Sequence, residues 1–426
     1  SLATPTLPGA VAQKAGVKNE TFYGAVLNET RLSPKWRHVS AVFASHTDFS
    51  NSAIANYEVK DEGNIGLRTY LDFKTPIESR YNFNWQIGAE AAHGSSDVAV
   101  FDNNGGQKGG QRSFNRLNSN YSFFFSHFSL DVNKWFFEAA ASLNFNNYKF
   151  RSLLDPNSTF RVKRFEEQIM PRVALSYRVI ENLALRASVS KGYSPPTIDE
   201  VTGSNNVINP DLQPEKGWNF EAGLRYRSPS DRIYLDASIF RYDLKEAIVR
   251  RLDESDVEYF VNAGGTKQTG IEAQLNTWLI KPAKSGFLRS LQFNTGYTYS
   301  NFIFTDYLKG ETDFSGNRLT GVPRHISVND LNMRFPLNLY LFLRHNYTSA
   351  IPLHDDNSVF ADSYNLFQLR GGWRSAGKRN LDLYFGIDNL SDEKYSLGND
   401  INAAGGRFYN PSPGRNYYFG IKAFIR

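Results

Sequence analysis

Apolar and polar residues alternate with a period of two along almost the whole chain. The clearest run is 218–227. Trp218, Phe220, Ala222, Leu224 and Tyr226 fall on one face, and Asn219, Glu221, Gly223, Arg225 and Arg227 on the other. Successive side chains of a strand point to opposite faces in this way. Phe137, Ala139, Ala141, Leu143 and Phe145 oppose Glu138, Ala140, Ser142, Asn144 and Asn146, and Ile271, Ala273, Leu275 and Leu279 oppose Glu272, Gln274 and Asn276. One such strand fits any half-buried antiparallel sheet. Their repetition predicts an all-β chain of about seventeen strands. The spans are 22–32, 35–47, 66–74, 81–93, 112–129, 134–148, 168–177, 182–190, 217–227, 231–244, 265–280, 289–302, 323–335, 338–349, 363–374, 380–390 and 416–426. Residues 1–21, with turns at Pro5 and Pro8-Gly9 and no periodicity, read as loop.

The connections sharpen the architecture. Short ones (33–34, 75–80, 131–133, 179–181, 228–230, 281–288, 336–337 and 375–379) alternate strictly with long ones (48–65, 94–111, 149–167, 191–216, 245–264, 303–322, 350–362 and 391–415). Tight turns at one end and long loops at the other are the asymmetry of an outer-membrane β-barrel. A β-sandwich gives no reason for it. No repeat of about 40–50 residues with propeller blade signatures is present. Polar inward faces carrying Glu, Arg, Asn and Gln predict a wet or plugged lumen. The aromatic clusters 123–125, 135–137 and 417–419 suit interfacial girdles.

With the short turns in the periplasm, strand 22–32 runs downward from outside. Bacterial single-chain barrels have an even strand number and both ends in the periplasm. The expectation is therefore that 1–21 is a remnant of an extracellular loop, that 22–426 is the C-terminal part of a transmembrane barrel, and that upstream strands precede it. A first residue Ser with no signal peptide before it fits the same expectation.

Composition narrows the class further. Aromatics make up 15% of the 426 residues, with 33 Phe and 23 Tyr, and the mean hydropathy is −0.46. No run approaches the ~18 apolar residues of a membrane helix, whereas a barrel strand needs only alternate apolar positions. The chain has no Cys, which excludes a disulfide framework, a zinc–thiolate site and a Cys nucleophile. The 48 basic and 43 acidic residues are interspersed, so the net charge of +5 forms no nucleic-acid patch.

Several segments together resemble a known family. They are NPDLQPEKGWNFEAGLRYR at 209–227, NAGGTKQTGIEAQL at 262–275, GVPRH at 321–325, DNLSDEKY at 388–395 and PSPGRNYYFG at 411–420. Their order and spacing resemble the TonB-dependent outer-membrane receptors, and LPGAVAQ at 7–13 looks like a loop segment of the ferric-citrate and siderophore branch. The resemblance covers essentially the whole chain. It implies a 22-stranded barrel with a plug domain in its lumen, of which the visible strands would be six to twenty-two. It also implies a location in the Gram-negative outer membrane among lipid and lipopolysaccharide, and TonB as the energy-coupling partner through an N-terminal plug and box. The transported small-molecule ligand would be a ferric siderophore or ferric citrate; no cofactor and no catalysis are expected. The family usually ends on an aromatic residue, whereas this chain ends Phe424-Ile425-Arg426.

Anionic ferric chelates suit Arg, whose planar fork pairs with carboxylate and catecholate oxygens. The candidate ligand-binding residues are Arg112, Arg250, Arg251, His354, Arg407 and Tyr409, with Arg151, Arg161 and Tyr193 as further loop positions. If Arg250-Arg251 lies in a strand extension, alternation sends its members to opposite faces. Arg415, within PSPGR, reads as orienting the final hairpin. His354-Asp355-Asp356 reads either as a metal site or, preferably, as a loop held by Asx-turns, so no metal site is assigned. The run 102–110, DNNGGQKGG, reads as a flexible loop rather than an anion cradle, because no strand-to-helix context surrounds it. Seven His are scattered with no GxSxG elbow or HExxH motif, and those on strands are expected to be hydrogen-bonded in the lumen. The remaining alternatives are a saccharide or other nutrient importer, a plugless porin or adhesin, and an outer-membrane hydrolase.

Overall fold

The computed structural model describes residues 9–75, 81–197, 200–201, 209, 211–252, 258–262, 264–309, 311–375 and 380–424. Pro5, Pro210, residues 76–80 and 376–379 of two short turns, and Ile425-Arg426 lie outside them. The chain opens with β1 (Gly16–Arg31), β2 (Trp36–Ser52), β3 (Asn56–Lys74), β4 (Tyr81–Asn103), β5 (Lys108–Val132) and β6 (Trp135–Ser152). A short β7 (Arg161–Arg164) precedes β8 (Gln168–Ile180), β9 (Leu183–Ser194), β10 (Glu215–Arg227) and β11 (Ile233–Lys245). The hairpin β12 (Ile248–Leu252) and β13 (Glu258–Asn262) then leads to β14 (Gly265–Ile280) and β15 (Ser290–Thr305). The pair β16 (Leu308–Lys309) and β17 (Thr312–Asp313) precedes β18 (His325–Arg334) and β19 (Leu339–Thr348). Next come β20 (Ile351–Pro352), β21 (Phe360–Ala361), β22 (Tyr364–Arg374) and β23 (Asn380–Asp388). The chain closes with β24 (Ser396–Asn399), β25 (Tyr409–Pro411) and β26 (Asn416–Phe424).

Seventeen of these strands form one antiparallel meander in which each pairs with the next in sequence, and the short β7 adds to the upper part of β6. All seventeen predicted strands are present. Among the described residues β1 pairs only with β2, and β26 only with β23. The remaining short strands form four two-stranded hairpins, all in the long connections.

Register explains the alternation. One cross-strand row runs Trp36, Phe73, Trp85, Phe128, Ala139, Val173, Val189 and Phe220 through eight neighbouring strands. The row one residue away, on the opposite face, runs Arg37, Asp72, Gln86, His127, Ala140, Arg172, Ser190 and Asn219. The apolar row is not a buried core: Val173 is 60% exposed and Phe220 44%. Bare apolar surface of this extent is stable against lipid, not against water.

The polar face is laced with ion pairs. Arg37 Nη2 lies 2.8 Å from Asp72, Arg68 3.3 Å from Glu90, Arg172 2.8 Å from Glu138 and Arg344 2.7 Å from Asp330. Arg186 and Arg225 share Asp236 at 2.5 and 2.7 Å. This face lines the lumen of a barrel wall.

Three expectations are corrected. First, 48–65 and 94–111 are not loops. The β2–β3 ladder continues unbroken to Ser52–Tyr57, and the β4–β5 ladder, with register shifts after Val100 and Phe101, to Asn103–Lys108, leaving turns of 53–55 and 104–107. β5 alone has 25 residues, whereas a tilted membrane strand needs about 9–11. The hairpins therefore rise well clear of the membrane. Their inward face stays packed, with Val98, Leu117 and Phe150 burying one another, but the outward face no longer meets lipid, and its polar composition imitates a loop. Residues 102–110 accordingly form a tight hairpin end, with Gly105 and Gly106 at φ of 64° and 84°, the left-handed conformation that twist-matched hairpin turns require. Likewise β1 starts at Gly16, inside the segment read as loop.

Second, the aromatic clusters divide. Trp135 and Phe137 stand on the apolar face near a short turn, with Trp36–Phe73 at 5.0 Å, Trp85–Phe128 at 6.2 Å and Trp135–Tyr177 at 4.3 Å completing a belt. Phe123 and Phe125 instead face inward beside Glu90 and under Arg68, and only Phe124 points out. Third, His93, His325 and His345 have the parity of the apolar face. They are held by Asn120, Tyr297 and Asn365 at 2.8, 2.8 and 2.9 Å, where the apolar stretches of their strands end. His127 is on the inward face, 3.9 Å from Glu138.

Candidate ligand-binding face

The long connections do not hang free. Tyr307 follows β15 and is fully buried against Phe304, with Val249, Phe314 and Leu319 around it. Its hydroxyl donates to Asp355 Oδ2 at 2.6 Å. Asp355 Oδ1 accepts from the Thr320 hydroxyl at 2.6 Å and Asn402 Nδ2 at 3.0 Å. Asn317 Nδ2 donates to the Asp355 carbonyl, and the Asp355 amide donates to Asn402 Oδ1. Arg251, on β12, lies 5.0 Å above the Tyr307 ring. One buried carboxylate thus ties the connections β15–β18, β19–β22 and β23–β26 together, with β11–β14 stacked on the same ring. A second cluster of Ile351, Leu353, Ala361 and Phe408 packs two of these loops. Buried polar groups persist only when hydrogen-bonded, and Asp355 meets that demand through neutral donors. Burial, then the Asp355 hydrogen bond, pushes the Tyr307 phenol well above its ordinary value.

The signature loop before β10 joins the same assembly. Gln213 N donates to Asn262 Oδ1, Asn262 Nδ2 returns to Gln213 O, and Ile248 N donates to Glu215 Oε1 at 2.8 Å. Gly264 explains part of the NAGG run. It has φ of 51°, and a Cβ there would collide with the Asp306 carbonyl oxygen.

The predicted residues scatter over this face. Arg112 is on β5, paired to Asp102 at 2.6 Å. Arg250 and Arg251 lie on β12 as alternation requires, Arg251 8% exposed and Arg250 opposite Phe260. His354 is in a turn, its Nδ1 2.9 Å from Asp356 Oδ1. Ser358 N bonds Asp356 Oδ1 at 2.8 Å, so the Asx-turn reading holds, and Asp355 turns away to the hub. Among the described residues, the one group with metal-site spacing is the exposed trio His46, Asp48 and Asp61.

Arg407 is exposed beside the 3-10 turn at 404–406, and Tyr409 packs on the Leu353 cluster. Arg151 lies 4.7 Å from the Phe160 ring, Arg161 is on β7, and Tyr193 accepts a hydrogen bond from Asn146. Arg415 clamps the final hairpin, its Nε donating to Leu390 O at 3.0 Å. Of the six candidates, only Arg251 and His354 adjoin the Asp355 hub.

Sequence reasoning missed Tyr307, Thr320, Asn402 and the pair Arg318 and Arg324. Burial, then the charge of Arg324, pushes the Arg318 guanidinium down. Arg324 Nε and Arg251 Nη1 are buried without an acceptor. Cations crowded with unmet donors at a loop–wall junction favour an anion. The available signal was AIPLHDDNS, which marked the place but not the role of Asp355.

Comparison with known proteins agrees with this architecture. A family model described as TonB dependent receptor-like, beta-barrel, matches residues 13–390. The chain is 21% identical over 250 residues to a probable TonB-dependent siderophore receptor, PiuA, of Acinetobacter baumannii, a match over 56% of this chain and 32% of that protein. It is 23% identical over 236 residues to the ferrioxamine B receptor of Salmonella typhimurium, over 54% and 31%. The matched stretch is therefore about a third of these relatives' length. Among solved structures, the ferric citrate transporter FecA in its unliganded form superposes with a TM-score of 0.78 at 15% identity, covering 96% of this chain and 62% of that one. The siderophore receptor PiuA from Acinetobacter baumannii superposes with a TM-score of 0.75 at 16% identity, covering 96% and 65%. The meander of two-faced strands, the loops gathered at one end and the match over 13–390 make one statement: the chain belongs to the TonB-dependent receptor-like β-barrel family, a family of transport receptors.

Proposed function

We propose that this chain is the barrel of a TonB-dependent active transporter in the Gram-negative outer membrane, importing a ferric siderophore or ferric citrate. The observation that carries the reading is the Asp355 hub. Loops bound into one body stand at one end of a charge-lined wall, with Arg318 and Arg324 crowded at the junction. That arrangement presents a preorganised cationic surface to an anionic chelate. The relatives named as siderophore receptors and the fold neighbour named as a ferric citrate transporter support the ligand class.

The ferric chelate is cargo rather than a resident cofactor, and no step of chemistry on it is invoked. Energy comes from TonB, and lipid and lipopolysaccharide surround the outer face. Among the described residues the outer edges of β1 and β26 carry no partner strand, and an open edge is costly in lipid.

Titrating the intact purified protein with ferric hydroxamates, ferric catecholates and ferric citrate, read by tryptophan fluorescence, tests the reading. Saturable binding of one class, weakened about tenfold in Arg318→Gln/Arg324→Gln, is expected. Binding of none of the three classes overturns it.

A further inference from the structure

Many arginines on the polar face, among them Arg37, Arg68, Arg172, Arg186, Arg225 and Arg344, meet a carboxylate. At the short-turn end of β15, β18, β19 and β22 several that form no ion pair gather around one space. There a cavity of about 650 Å³ is lined by Arg289, Arg334, Arg370 and Arg374, with Tyr340 and Trp278 beside them. Asp382 is the one acid paired there, 3% exposed, and it is already engaged by Arg374 at 2.8 Å and by the Tyr340 hydroxyl at 2.9 Å. Among the described residues Arg289, Arg334 and Arg370 form no ion pair at contact distance, although Arg370 lies within electrostatic reach of Asp382. Arg370 is braced with its guanidinium 3.8 Å from the Tyr384 ring centroid, and the Nε atoms of Arg370 and Arg289 are buried without an acceptor.

We propose that this cavity is an anion site for carboxylate groups, at the opposite end of the wall from the loops. Three unpaired guanidiniums around one space repel each other unless an anion joins them. One of them, Arg370, is braced by the Tyr384 ring, and Arg374 beside them is held by Asp382, so the site is preorganised for a forked, multidentate acceptor. A tricarboxylate, or phosphate with the same fork-accepting oxygens, fits the charge. Acidic side chains of a polypeptide segment seated in the lumen present the same chemistry. The site is independent of the chelate assigned to the loop face, and its test does not use iron.

Arginine modification by phenylglyoxal, mapped by peptide mass spectrometry on the intact protein in detergent at low salt, reads the site directly. Arg227, a surface side chain at 69% exposure, is the reference. The expected result is modification of Arg289, Arg334 and Arg370 about tenfold slower than Arg227 when citrate or phosphate is present. Slow modification only with added anion identifies a soluble ligand. Slow modification without it, relieved at ~1 M NaCl where screening falls to about 3 Å, identifies acidic side chains already in place. In Arg289→Gln/Arg370→Gln, checked for folding by heat-modifiable gel mobility, Arg334 loses its protection. Modification as fast as Arg227 in every state, or protection that ignores both salt and the double substitution, overturns the proposal.

Discussion

The Tyr307 hydroxyl reaches Asp355 Oδ2 at 2.6 Å across 48 residues of sequence, and through it two loops that share no strand become one body. Thr320 and Asn402 complete the carboxylate's partners. Asp355→Ala leaves the buried Tyr307 and Thr320 hydroxyls unmet, at about 1–3 kcal/mol for each unsatisfied group, and frees the half-buried Asn402 amide. The expected outcome is a joint loss of amide protection over 306–322, 350–362 and 396–411, with the strands below unchanged, measured by hydrogen exchange. Loss confined to 350–362 would show that Asp355 holds only its own loop.

The same pair sets a response to high pH. The folded-state pKa of Tyr307 is raised, by burial first and then by the Asp355 hydrogen bond. A raised group contributes stability that is fully present below its unfolded pKa, about 10 for Tyr. That stability is lost as pH rises toward the folded value. The loop assembly is therefore intact through neutral pH and loosens only above about pH 10. Ultraviolet titration should show the late-ionising fraction of the tyrosines reduced by one in Tyr307→Phe.

Exposure means opposite things on the two faces of β10. Phe220 is 44% exposed in a row of apolar neighbours, and Asn219 lies in the inward polar row. Phe220→Arg is expected to cost about 2–4 kcal/mol if it sits near the bilayer midplane. Asn219→Arg, facing wet lumen, should cost well under half of that. Urea unfolding in lipid vesicles separates them, and equal costs would contradict the facial assignment.

Gly264 tests the local geometry of the signature. With φ of 51° and the Asp306 carbonyl where a Cβ would stand, Gly264→Ala forces the β11–β14 loop away from the β15–β18 loop, at a cost of order 1–3 kcal/mol. Increased proteolytic nicking in 246–262, with the barrel intact on gels, is the expected readout.

How much was legible follows from what each residue faces. Val173, Val189 and Phe220 must be apolar because one side is bare, while Arg172, Ser190 and Asn219 need not be. That contrast writes the strands into the sequence, down to their number. The extensions of β2 to β5 were illegible because above the membrane the outward face need not be apolar, as at Asp97–Arg116, while the ladder and the inward packing continue. The family resemblance rested on loops whose signature residues prove to be mutual clips, such as Gln213 with Asn262. The Asp355 hub joins residues from three connections, and no local pattern announces a partner 35 to 48 positions away.

The most direct test of the account is uptake of radioactive ferric chelate by cells whose sole outer-membrane route is the intact protein, with and without functional TonB. The expected result is saturable iron accumulation that falls to background when TonB is absent, while chelate binding at the cell surface persists. Equal accumulation in both strains would contradict it and leave a passive pore.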